Sequence, residues 1–265
     1  MKPNHTFTFK RRESKCSFLV MTALLLSGIP VWTQAETFSD FEHAYIQKYE
    51  HAKNTPEWRY QSINQGAASD FMETTGRLKH SFDYPFKSLE SKGFVTIAYS
   101  PDHQLKIYGF DISTGGTMRE YLNYAQLQGA QDEDAIELDN FDDIQRIEQV
   151  RIANQTYYLL RGLSIADQCH GTFTLYALKI VGNSVEKANI FIEKDQASDR
   201  LEIEYRCEQF STQWHRYNLG EHMIRISHDM KSIDLMELSE DGSLSKNYIR
   251  YEKTAQGYQK TGMVK

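Results

Sequence analysis

Leu201–Glu208 reads LEIEYRCE, and its alternation decides the fold class. Successive side chains of an extended chain point to opposite faces. Leu201, Ile203, Tyr205 and Cys207 therefore share one face, and Glu202, Glu204, Arg206 and Glu208 the other. Outward from this stretch, short apolar runs of the same texture recur from Gly93 onward, among them FVTIAY, LKIYGF, TYYLLRG, TFTLYALKIV, KANIFIEK, HMIRIS and SIDLMEL. Such runs, bounded by turn residues, predict strands. Ser100-Pro101-Asp102-His103-Gln104-Leu105 and Ser239-Glu240-Asp241-Gly242-Ser243-Leu244 share an S-x-D-x-x-L pattern between apolar runs, which predicts hairpin turns.

The section before Gly93 has a different period. Ser39 and Glu42 form a capping box, and Phe41, Tyr45 and Tyr49 recur every four residues, the signature of an amphipathic helix. Leu78, Phe82, Phe86 and Leu89 predict a second helix, against which Pro85 counts. The expected fold class is α+β, mainly β: an antiparallel twisted sheet or sandwich, meander-like with a propeller-like variant, carrying N-terminal helices packed on it. With only 5 prolines and no Ser/Gly-rich linker, residues 36–265 read as a single globular domain, helical over 36–90 and β-rich over 91–265.

Residues 1–35 read as a cleaved signal peptide. Lys2, Lys10, Arg11, Arg12 and Lys15 precede an uncharged run containing FLVMTALLLSGIPVW, and Thr33-Gln34-Ala35 supplies small residues for cleavage after Ala35. The mature chain then carries 25 Lys+Arg against 35 Asp+Glu, a net charge of −10. That charge repels nucleic acid and anionic lipid, and no later apolar stretch is long enough to span a bilayer. The expected location is the periplasm or the exterior. Cys16 leaves with the signal, so Cys169 and Cys207 remain, and an oxidising compartment predicts a disulfide between them. Closing that loop is worth on the order of 3–4 kcal/mol in the chain-entropy description.

Chemistry is sparse. DISTGGTMRE, residues 111–120, offers Gly115, Gly116 and Thr117 either as an anion-binding turn before a helix or as the turn of a hairpin. No Lys follows the glycines as in a phosphate loop, and the hairpin turn is the expectation. Asp132, Glu133, Asp134, Glu137, Asp139, Asp142 and Asp143 place seven carboxylates in a twelve-residue run. They lack the order of a calcium loop, and are expected to form a solvated acidic patch able to attract a basic protein. His222 and His228 are expected on one strand face with Ile224 and Ile226, without the partners a metal needs. No metal or cofactor is expected, and no nucleophile elbow or catalytic cysteine context is present. The composite expectation is an exported, non-enzymatic binding or interaction protein, an inhibitor or immunity-type protein that masks a basic partner being one concrete form. The alternative is an envelope-acting hydrolase with carboxylate catalysts.

Overall fold

The computed structural model describes residues 38–55, 57–78, 80–112, 119–129, 135–139, 141–167, 170–206, 216–238 and 244–265. Three mostly antiparallel sheets stack behind a layer of helices, and the class anticipated from the alternation, α+β and mainly β, is the one observed. The helices are α1 (Phe38–Lys53), α2 (Glu57–Arg77) and the short α3 (Lys87–Ser91). The first sheet runs in order β1 (Thr96–Tyr99), β2 (Leu105–Asp111), β3 (Tyr121–Leu127), β4 (Ile136–Leu138). The second contains β5 (Asp143–Ile152), β6 (Gln155–Ile165), β7 (His170–Val181) and β11 (Arg200–Arg206) in order β11-β7-β6-β5, with β8 (Ser184–Lys187) also on β7. The third contains β9 (Phe191–Glu193), β10 (Gln196–Ser198), β12 (Ile224–Ile226), β13 (Ser232–Leu238), β14 (Leu244–Lys253) and β15 (Tyr258–Val264), in order β10-β9-β15-β14-β13-β12. Its β9–β15 contact is parallel. A fourth helix, α4 (Arg216–Met223), leads directly into β12.

Three cores hold the layers together. Phe41, Tyr45 and Tyr49 of α1 meet Phe71 of α2, Phe86, and Tyr108 and Phe110 of β2, in a chain of stacked and edge-on rings whose geometry adds to the burial of their area. The opposite face of the first sheet, with Leu105, Ile107 and Ala125, packs on Ile144, Leu160 and Leu178 of the second. The far face of the second sheet, with Leu159, Phe173 and Ile203, packs on Phe191, Ile233 and Tyr258 of the third. In β11 Leu201, Ile203 and Tyr205 are buried and the residues between them exposed, as the alternation requires.

Being covered on both sides, β2 buries every residue from Leu105 to Phe110. Lys106 is wholly enclosed. Its Nζ donates to the carbonyl oxygens of Ser81, Phe82 and Tyr84 at 3.1, 3.2 and 2.6 Å and lies within 5.0 Å of the ring centroids of Phe86, Tyr99 and Tyr108. Burial pulls its ammonium down to about 7, opposed by Asp83 and Glu90; the carbonyl oxygens and ring faces also favour the charged form. The segment from His80 to Phe86 thus wraps around a cation. This segment replaces the second helix expected over Leu78–Leu89, which is a correction. His80 and Phe86 have positive φ, 67° and 47°, and Pro85 disfavours helical geometry before it, so Phe82 and Phe86 reach the core from a loop. The long second helix lies earlier, where Ala67, Ala68, Phe71, Met72 and Thr75 face inward.

The turn at Ser100–Leu105 is a hairpin as expected. Ser100 Oγ donates to Asp102 Oδ1 at 2.7 Å and accepts the backbone N–H groups of Gln104 and Leu105. The same arrangement recurs at Ser227–Ser232, where Ser227 Oγ meets Asp229 and the N–H groups of Lys231 and Ser232, and both turns use a left-handed residue, His103 and Met230. Asp102 also accepts from Gln149 Nε2 of β5 and Tyr158 OH of β6, at 2.9 and 3.0 Å, so one turn carboxylate ties the first sheet to the second. At 239–244 the comparable motif joins β13 to β14, and residues 239–243 lie outside the described residues.

Candidate functional site

The residues singled out from the sequence scatter. Gly115, Gly116 and Thr117 lie outside the described residues, in the connection between β2 and β3, where Asp111 pairs with Tyr121 and Ile107 with Ala125. Cys169, Cys207 and the signal segment also lie outside them, as do Asp132, Glu133 and Asp134. Glu137 and Asp139 are exposed on β4 and the turn after it, whereas Asp142 and Asp143 are half-buried. Asp142 accepts from Thr174 Oγ1 and Tyr176 OH at 3.1 and 2.7 Å. Gly162 leaves room for this cluster, since a Cβ there would stand 2.9 Å from the Tyr176 ring and 3.2 Å from Asp142. His222 is in α4 and His228 in the Ser227 turn, both exposed. The shared strand face expected for them is therefore corrected, because the chain before Ile224 is helical. No group of side chains fit to hold a metal ion occurs among the described residues.

Asp143 leads to a site the sequence did not reveal. β1, β5 and β12 are each the terminal strand of their sheet, and the three edges bound a cavity of about 380 Å³. Thr96 of β1, Asp143 and Gln145 of β5, Arg161 of β6, Glu221 of α4 and Ile224 of β12 line it. The ladder between β5 and β6 shifts register between Ile144 and Arg146, so Gln145 is the extra residue of a bulge, a device that re-aims a side chain. Gly220 lets α4 close onto the cavity wall, as a Cβ there would stand 2.9 Å from the Phe173 ring.

Charge in the wall is largely spent internally. Arg161 Nε donates to Glu148 Oε1 at 2.7 Å, both side chains being under one-fifth exposed, and its Nη1 donates to the Ile224 carbonyl at 2.8 Å, fastening β6 to β12. Arg146 bridges the same Glu148 oxygen, at 3.4 Å, and Glu221, at 3.1 Å. Asp143 has no ion pair among the described residues. Burial pushes its carboxyl up, while Gln145, Thr96 and the charge of Arg119 favour ionisation and Asp111 opposes it. Gln145 and Thr96 thus approach the carboxyl, yet Asp143 Oδ1 and Gln145 Nε2 are buried without a completed hydrogen bond, as is Glu148 Oε2. Buried polar atoms are nearly always paired; of these three, Asp143 Oδ1 and Gln145 Nε2 belong to residues that line the cavity.

A second, more open groove of about 540 Å³ runs over the face of β6, β7 and β11, where Asp142, Thr172, Thr174, Glu202 and Glu204 stand. No helix among the described residues is long and apolar enough to cross a membrane. Comparison of the chain with protein-family models, with curated proteins and with solved structures finds no match.

Proposed function

We propose that this chain is an exported, non-enzymatic binding protein whose ligand occupies the cavity between the edges of β1, β5 and β12. The observation that carries the reading is the pair of buried atoms in its wall without a hydrogen-bond partner, Asp143 Oδ1 and Gln145 Nε2. Leaving such atoms unmatched costs ~1–3 kcal/mol each, a cost that bound ligand relieves. The test is a thermal-shift screen of the mature protein against peptides, saccharides and amines, with a Gln145→Ala variant alongside. A binder that raises the melting temperature of wild type and fails to raise that of the variant is expected; a screen without any such binder removes the reading.

The partner is a protein in this proposal, and a basic one. The net charge of −10 after signal removal supports it, as do Glu137 and Asp139 and the acidic residues Glu202 and Glu204 beside the open groove. Export to the periplasm or the exterior rests on the basic, then apolar, N-terminal 35 residues. A Cys169–Cys207 disulfide accompanies it. Its support is the ladder of β7 and β11, in which His170 stands opposite Arg206, while the sequence has a cysteine one residue further on either strand.

One observation favours the hydrolase alternative: a carboxyl raised by burial at a cavity wall, Asp143, is what a general acid requires. Incubation of purified protein with peptidoglycan, glycan and ester substrates separates the two readings, because turnover abolished by Asp143→Asn replaces binding with catalysis.

A further inference from the structure

We propose that the outer edge of β11 receives an extended segment of a basic protein, which adds to the second sheet as one more strand and sets lysine or arginine beside Glu202 and Glu204. The inference deepens the reading of a basic protein partner and rests on it. β11 is the terminal strand of its sheet. Ala177 N–H donates to the Asp199 carbonyl at 2.8 Å, and Arg200 stands opposite Tyr176. Opposed pairs of an antiparallel ladder alternate between bonded and non-bonded. Asp199, Leu201, Ile203 and Tyr205 therefore bond to β7, and the backbone groups of Arg200, Glu202 and Glu204 point away from it. At Arg200 the Ser198 hydroxyl meets both groups, donating to the carbonyl at 2.9 Å and accepting from the N–H at 3.1 Å. At Glu202 and Glu204 no hydrogen bond meets them among the described residues. A row of such N–H and C=O groups is a template for an incoming strand.

The order of charge along this edge, rather than its sum, selects the occupant. Beside an added strand stand Arg200, Glu202, Glu204 and Arg206 in turn, on the face that carries Thr172 and Thr174. Arg200 is engaged by Asp199 and Glu202, while Glu204 has no ion pair among the described residues. The same face opens into the groove of about 540 Å³, where Asp142 adds a third carboxylate. Opposite charges on directly paired strands favour the pairing. Cations at two alternate positions of the segment thus meet Glu202 and Glu204, and the residue between them falls on the apolar side beside the buried Ile203. A second copy of β11 is a poor occupant. Paired antiparallel about Ile203, it sets Glu202 opposite Glu204 and Arg200 opposite Arg206, like charge on like. A shift by two residues still opposes one glutamate to its own copy.

The experiment uses the mature protein and three acetylated, amidated peptides: one alternating valine with lysine, the same peptide with glutamate for lysine, and the lysine peptide N-methylated at its lysines. The last keeps the charge and loses the donors that would face Glu202 and Glu204. Affinity is read by fluorescence anisotropy, and amide exchange of Glu202 and Glu204 by NMR. The lysine peptide is expected to bind and to slow both amides. Binding should be about tenfold weaker for the glutamate peptide, for the N-methylated peptide and for the double variant Glu202→Lys, Glu204→Lys. Glu204→Pro removes one outward donor without breaking the ladder and should weaken binding more than Glu204→Gln does. If the variants misfold, amide exchange in wild type with the three peptides gives the same answer. Equal binding of the N-methylated peptide, or unchanged exchange at both amides, overturns strand addition; equal binding of the glutamate peptide overturns the charge selection. Cytochrome c, a folded basic protein, is titrated alongside. Its binding without that of any peptide overturns the inference and leaves the basic-partner reading standing; failure of cytochrome c and of every peptide removes both.

Discussion

Lys106→Met isolates the buried cation at the centre of the helix–sheet interface. Methionine keeps the apolar stem and removes the titrating group. In the folded protein Lys106 titrates near 7 against an ordinary 10.5, so between those values the unfolded chain holds a proton that the folded chain has given up. Stability through this group therefore rises with pH from about 7 toward 10.5, and is unaffected by pH below about 7, where both states are protonated. The full drop corresponds to on the order of 5 kcal/mol, of which a span of two pH units holds about 2.5 kcal/mol. The three carbonyl oxygens and three ring faces around Nζ favour the charged form and reduce this. A rise of about 1–2 kcal/mol between pH 7 and 9 is expected in wild type relative to Lys106→Met. Urea unfolding at pH 6, 7, 8 and 9 at constant ionic strength measures it, with hydrogen exchange over residues 80–86 as a local readout. Parallel stability profiles for the two proteins would refute the reasoning, since the ammonium would then stay charged throughout.

Gly171→Ala should destabilise by ~1–3 kcal/mol, because a Cβ there meets the Ser164 carbonyl and the Tyr205 ring closer than 3.0 Å; Gly66→Ala, inside α2 with nothing within 4 Å, should instead stabilise by ~0.5–1 kcal/mol, both read by denaturant midpoint. Asp102→Ala removes the acceptor shared by Ser100, Gln149 and Tyr158 and should cost ~2–4 kcal/mol; a loss below 0.5 kcal/mol would mean that the inter-sheet bonds carry no stability. Non-reducing peptide mapping of the exported protein should recover Cys169 linked to Cys207, and two alkylatable thiols would contradict the linkage. Intact mass of the same material should correspond to a chain beginning at Glu36.

The parts of the fold visible in the sequence were those with one dry and one wet face. LEIEYRCE announces its strand because β11 has an exposed side, and Phe41, Tyr45 and Tyr49 announce α1 because the opposite side of that helix is polar. α2 lay within the section expected to be helical but was not picked out as an element, because only Phe71 and Met72 stand among alanines and Thr75 on its inner face, a weak hydrophobic signal. Lys106 escaped for the opposite reason: alternation assigns a lysine to water, and only the layer of helices over β2 puts it inside. The candidate site was illegible because its walls come from the edges of three sheets. Thr96, Asp143 and Ile224 are far apart in the chain, and Asp143 read as one member of an acidic run until β5 carried it inward. The Ser227 turn was passed over because Ser232 stands where the expected pattern has leucine, although the serine and aspartate that build the turn are present.

The parallel contact between β9 and β15 has a consequence for assembly. Phe191 and Ile192 align with Tyr258 and Gln259, so β9 waits for the 64 residues between Glu193 and Tyr258 before its ladder partner exists. A chain made from the N-terminus onward can complete the helical layer and the first sheet from local pairings, yet β9 and β10 remain an unsupported hairpin until β15 arrives beside them. Pairings of such long sequence separation form late, and unpaired edges attract other chains meanwhile. A chain stopped short of Tyr258 thus loses more than its last strand: it leaves an open ladder on a segment synthesised long before, and that segment becomes the adhesive end of an unfinished molecule.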